Sequence, residues 1–188
     1  MEEVYDDILT FWLEECDEAD WYKQDDALDA EIRRRFEPTW RKARRLSPWC
    51  CSAEGTLAYL ILTDQFPRNM FRGEAKAYST DRLALRAAKQ AVSRDVDLKI
   101  DGAARQFFYM PLEHSERLSD QARAVRLFLT RMDAPENLLH ARAHREVIRL
   151  FGRFPNRNAA LGRENSEAEA AFLEAGGYGA AVGALRAA

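Results

Sequence analysis

The chain has 188 residues, 47% of them hydrophobic and 31% charged, with a formal net charge of -3. That length suits a single domain spanning residues 1–188 with a sizeable core. The near-balanced charge speaks against nucleic acid or an anionic membrane as a partner.

Cys16, Cys50 and Cys51 are odd in number and form no CxxC pair, so reduced thiols in a cytoplasmic protein are expected rather than a disulfide framework. The opening stretch MEEVYDDILTFWLEECDEAD is acidic where a secretory signal is basic, which predicts no export by that route. Val4, Ile8, Phe11 and Trp12 recur at helical spacing and define one face of a first helix. A second helical region runs from Asp25 to Leu46, with Leu28, Ile32, Phe36 and Trp40 every four residues and Pro38 expected to divide it. Its other faces carry Arg33, Arg34, Arg35, Arg41, Lys42, Arg44 and Arg45, a pattern that reads as a solvated helix face, with a basic patch as the alternative.

Ser52 is a natural N-cap for the next helix, which is apolar all round from Leu57 to Leu62 and therefore predicts a central, buried element. The apolar stretch from Gly55 to Thr63 falls well short of the roughly 20 residues that a membrane-spanning helix needs. Asp81 to Val92 is strongly amphipathic, with Ser79, Thr80 and Asp81 as capping candidates. An acidic loop with Asp95, Asp97 and Asp101 precedes an aromatic helix around Gln106 to Tyr109, and a further helix carries Val125, Leu127, Phe128 and Leu129. The last long helix runs from Asn137 to Phe151 and stops at Gly152, and Ser166-x-x-Glu169 reads as a capping box for a short terminal helix. Seven to nine helices and no sheet make the fold all-α.

Two polar corners interrupt this amphipathic pattern. In DQFPRNMFRG, residues 64–73, a carboxylate at Asp64 ends an apolar helix where the dipole is negative, and Pro67 forces a kink or a new helix start. Arg68, Asn69 and Arg72 then fall in a first turn, the wrong end for arginine, so neutralisation by a neighbouring acid or by a bound anion is expected. FGRFPNRNAALGR, residues 151–163, nearly repeats the arrangement with Arg153, Pro155, Arg157, Asn158 and Arg163. Arginine forks bind carboxylates and phosphates bidentately. The corners are therefore either polar locks between helices or the lining of an anion pocket.

Between them lies PLEHSERLSDQ. His114, Ser115 and Glu116 are adjacent and point in different directions, so they form no nucleophile-base pair by themselves. His114 with Glu116 is nonetheless the acid/base candidate, histidine being the side chain that exchanges protons near neutral pH. His140 and His144 have the spacing of two zinc ligands, but ARA between them lacks the glutamate of HExxH and no further ligand is evident, so no metal and no cofactor are expected.

LTDQFPRNMFRG, MPLEHSERLSDQ and HREVIRLFGRFPNRNAALGR, with Phe11-Trp12 near the start, resemble the bacterial family named domain of unknown function 924. The resemblance implies an all-helical chain with helix pairs stacked in a tetratricopeptide-like arrangement, and it brings no established reaction. Motif positions carry over to Asp64, Gln65, Arg68, Asn69, Arg72, His114, Ser115, Glu116, Gln121, His144, Arg153, Arg157, Asn158 and Arg163, but not to His140. Where the family pattern usually has histidine, this chain has Asn156.

The resulting expectation is a helical cytoplasmic protein that binds a small anionic metabolite or a peptide carboxylate. The ligand-binding residues would be Asp64, Gln65, Arg68, Asn69, Arg72, Ser115, His144, Arg153, Arg157, Asn158 and Arg163. Catalysis, if any, would fall to His114 and Glu116. The alternative is a protein-interaction scaffold whose polar motifs are structural locks.

Overall fold

A computed structural model describes residues 2–187, with side chains from Tyr5 onward; the expectation for the Val4 side chain lies outside the described residues. Helices alone form the regular structure of the described residues. Ten are α-helical, and eight of these have seven or more residues. The chain divides into two compact units, one up to Pro111 and one from Leu112 onward.

The first unit contains α1 (Glu2–Thr10), α2 (Asp26–Trp40), α3 (Ala53–Leu60), α4 (Phe66–Met70) and α5 (Asp81–Val92), linked by π-helical and 3-10 turns. Ser52 caps α3 as expected, its hydroxyl accepting the Gly55 N–H at 3.0 Å. From α3 the chain continues through a π-helical turn, Ile61–Gln65, into α4, and every residue from Gly55 to Pro67 is buried. The wider π turn takes the strain that Pro67 would impose on an unbroken α-helix, and the proline sits in the first turn of α4, where its missing donor costs nothing. Around this rod packs an aromatic core. Phe66 lies 4.9 Å from Phe36 and 5.3 Å from Trp12, centroid to centroid, and Phe11 lies 5.2 Å from Phe36.

Two local expectations are corrected. Pro38 does not divide the second helix: α2 runs through it to Trp40, so its effect is confined to the last turn, beyond which the chain passes into 3-10 turns. Thr80 stands at the N-cap of α5 without capping it. Its hydroxyl is drawn into the core, where it donates to the Thr63 carbonyl at 2.7 Å and accepts from Trp40 Nε1 at 3.2 Å.

The second unit begins at the end of α6 (Met110–Glu113) and contains α7 (Leu118–Arg131), α8 (Pro135–Phe151), α9 (Glu167–Glu174) and α10 (Gly177–Arg186). The faces of α7 and α10 pack on α8, and Val147, Ile148 and Phe154 form a small core with Phe151, Phe172 and Tyr178 against it. Gly152 ends α8 in the left-handed conformation at φ 69°, and Ser166 and Glu169 form the capping box of α9. No helix among the described residues is long and apolar enough to cross a membrane.

Candidate functional site

In the first unit the DQFPRNMFRG corner is an ion-pair network. Arg68 donates through Nη1 and Nη2 to the two oxygens of Asp81, each at 3.0 Å, and through Nη1 to the Asp64 carbonyl at 2.6 Å. Asp64 Oδ1 lies 3.3 Å from the same nitrogen. These carboxylates keep the guanidinium protonated although burial opposes its charge. Beside it, Gln65 donates to Asn69 at 3.1 Å, Asn69 donates to Asp29 at 2.8 Å, and Arg72 closes on the same Asp29 with bonds of 2.7 and 2.9 Å. Asp81 also sits in the first turn of α5, where the helix dipole favours its charge.

In the second unit, two motif arginines likewise fork onto carboxylates. Arg163 holds Glu116 at 2.9 and 3.0 Å, while the Phe154 N–H donates to Glu116 Oε1 at 2.9 Å. Burial alone would raise the Glu116 carboxyl, but the hydrogen bonds from Arg163 and Phe154 and the charges of Arg163 and Arg157 hold it below its ordinary value. Both oxygens are thus engaged, and Glu116 anchors the corner. Arg153 holds Glu169 at 2.6 and 2.7 Å and keeps that carboxyl far below the usual carboxylate range, with help from the Ser166 N–H. Ser115 donates to Asp120 at 2.8 Å, Gln121 to the Ser115 carbonyl at 2.7 Å, and Asn158 to Asn165 at 2.8 Å.

His144 and Arg157 line a cavity of about 120 Å³ together with Asn156, Tyr178, Val147, Phe154 and Phe172. Arg157 is buried, with its guanidinium 4.4 Å above the Phe154 ring. His144 Nδ1 lies 3.0 Å from the His140 carbonyl and 3.0 Å from Glu113 Oε1. Both partners only accept, so Nδ1 carries a proton, and Nε2 has no partner among the described residues. The Tyr178 hydroxyl lies 2.6 Å from His140 Nδ1 and 3.3 Å from His144 Nδ1. Burial holds His140 below its ordinary pKa, which favours its neutral ring beside that hydroxyl. The His114 ring stands edge-on to His144 with centroids 6.1 Å apart. Among the described residues no three of His, Cys, Asp and Glu gather as a metal site.

Sequence reasoning did not single out Glu113 and Tyr178. Glu113 is only 5% exposed, and its place one residue before His114 was the available signal. Tyr178 reaches the histidines from 34 and 38 residues away, a separation no local pattern reports.

A family model described as a bacterial protein of unknown function, DUF924, matches residues 8–177. No curated protein matches. Among solved structures, that of a protein of unknown function from Agrobacterium tumefaciens is similar at 38% identity, with a TM-score of 0.87, covering 92% of this chain and 98% of that one.

Proposed function

This chain belongs to the bacterial DUF924 family, and we propose that its second unit binds a small anionic metabolite, phosphate- or carboxylate-bearing, in the cavity lined by Arg157, Asn156, His144 and Tyr178. The observation that carries this reading is the composition of that wall: a buried guanidinium, an amide and a phenol beside an imidazole whose Nδ1 is committed to Glu113 and His140. Low-dielectric surroundings strengthen the attraction of such a guanidinium for an anion. The volume admits only a small occupant, or the anionic end of a larger one. His144 Nε2 is then the atom able to accept a proton from a bound hydroxyl, with Glu113 fixing the ring as carboxylates commonly orient catalytic histidines. His114, edge-on to His144, belongs to the same cluster.

The occupied forks of Arg68, Arg72, Arg153 and Arg163 support a second role for the motifs, as locks between helices. The two roles are compatible, since different arginines carry them.

All three histidines, His114, His140 and His144, belong to the second unit, so nitrogen NMR of histidine-labelled protein reports on this cavity. Titration with inorganic phosphate, and separately with succinate, is expected to shift His144 Nε2 saturably. Asn156→Asp, which places a negative charge on the exposed rim, is expected to weaken that binding at least tenfold with unchanged circular dichroism. Histidine resonances that ignore both anions would defeat the proposal.

A further inference from the structure

We propose a second, independent ligand site in the first unit, a phosphate-binding pocket lined by Arg44, Arg86 and Tyr59. The pocket has a volume of about 230 Å³, and no carboxylate lines it among the described residues. Arg44 comes from the 3-10 turn Ala43–Arg45 and Arg86 from α5. Among the described residues neither guanidinium has an ion-pair partner, in contrast to the forks of Arg68, Arg72, Arg153 and Arg163. Both residues are exposed, so water screens their mutual repulsion, and a bound dianion offsets what remains of it.

The remaining polar groups fit the same occupant. Tyr59 is only 3% exposed, yet its hydroxyl has no hydrogen-bond partner among the described residues. Burial pushes that phenol up to about 12, so it stays a donor at neutral pH. The Ser47 hydroxyl and the Gln90 amide, also in the wall, have no hydrogen-bond partner for their side chains among the described residues. Cys50 adds no competing negative charge, because burial pushes its thiol up to about 11. Two guanidiniums, two hydroxyls and one amide offer more donors than the two oxygens of a single carboxylate can accept, and they suit a tetrahedral phosphate. Leu83 and Ala87 complete the wall and would face a short carbon body. A small soluble phosphate monoester is the chemical class that matches.

The test uses the full chain carrying Asn156→Asp, so that the cavity of the second unit is disabled and failure of that reading leaves this one untouched. Isothermal titration with inorganic phosphate and with glycerol phosphate, at ionic strength held constant with chloride, is expected to show one site. Adding Arg86→Gln or Arg44→Gln is expected to weaken binding at least tenfold, and Tyr59→Phe severalfold. Among the described residues neither arginine is in an ion pair, so both variants are expected to keep the wild-type melting temperature, which separates a binding defect from unfolding. Phosphate binding that is unchanged in Arg44→Gln/Arg86→Gln, or absent in the parent, would overturn the proposal. So would sedimentation with phosphatidate-containing vesicles in the absence of any binding of the soluble phosphates, since the source would then be a lipid headgroup.

Discussion

Replacing Arg68 by methionine keeps most of the side-chain volume and removes the charge on which the first unit's polar corner is built. Asp64 is then left with its side chain 4% exposed and without the cation now 3.3 Å away, and Asp81 loses both bonds of its bidentate pair. Breaking a buried pair by removing one partner costs about 3–5 kcal/mol, against about 1 kcal/mol or less for an exposed pair. The Arg68 side chain is 16% exposed, which places the loss in the lower part of the buried range, about 3 kcal/mol. All four tryptophans, Trp12, Trp21, Trp40 and Trp49, lie in the first unit, so urea denaturation followed by tryptophan fluorescence reads that unit directly. The expected result is a lower midpoint at unchanged slope. Arg68→Met/Asp64→Asn, which also removes the stranded carboxylate, is expected to recover a large part of the loss. A cost under about 1 kcal/mol for the single variant, or a double variant that loses the sum of two independent effects, would refute the argument that this corner is a buried lock.

Glu116→Gln is expected to destabilise the second unit by about 1.5–3 kcal/mol at pH 7, the worth of hydrogen bonds to a charged group. Because the native carboxyl is held below its ordinary 4.5, its contribution is complete above that pH and fades as the pH falls further; the gap in urea midpoint between wild type and Glu116→Gln, followed by circular dichroism, should therefore be smaller at pH 3 than at pH 7. Gly55→Ala is expected to destabilise the first unit by about 2 kcal/mol or more, since a Cβ there meets the Trp49 carbonyl oxygen at 2.2 Å and backbone must move; a melting temperature equal to wild type would contradict this. Asn156→His adds a titratable cation to the proposed anion cavity and is expected to tighten phosphate binding at pH 6 but not at pH 8, straddling the ordinary histidine pKa of about 6.5. Calorimetric titration at the two pH values checks it.

Much of the fold was legible because its signals are local. The every-four-residue recurrence of Leu28, Ile32, Phe36 and Trp40, the Ser52 cap, the left-handed Gly152 and the Ser166/Glu169 box each depend on neighbours within about one or two helical turns. Pro38 and Thr80 were misread for a related reason. The last turn of α2 tolerates the proline, and two distant partners, Thr63 and Trp40, claim the threonine hydroxyl that local pattern assigns to a cap.

The amino-acid sequence by itself determined that the chain is helical, where most helices start and stop, and that arginine gathers in two corners needing negative charge. Which negative charge answers each arginine was decided only in three dimensions. Asp29 is 43 residues from Arg72, Glu116 is 47 from Arg163, and Tyr178 is 34 from His144. The bonds that pair them span a few ångströms, so they exist only after packing has brought separate helices together. For the same reason neither the carboxylates that hold Arg68, Arg72, Arg153 and Arg163 nor the cavities that Arg157, Arg44 and Arg86 line have a counterpart in residue order.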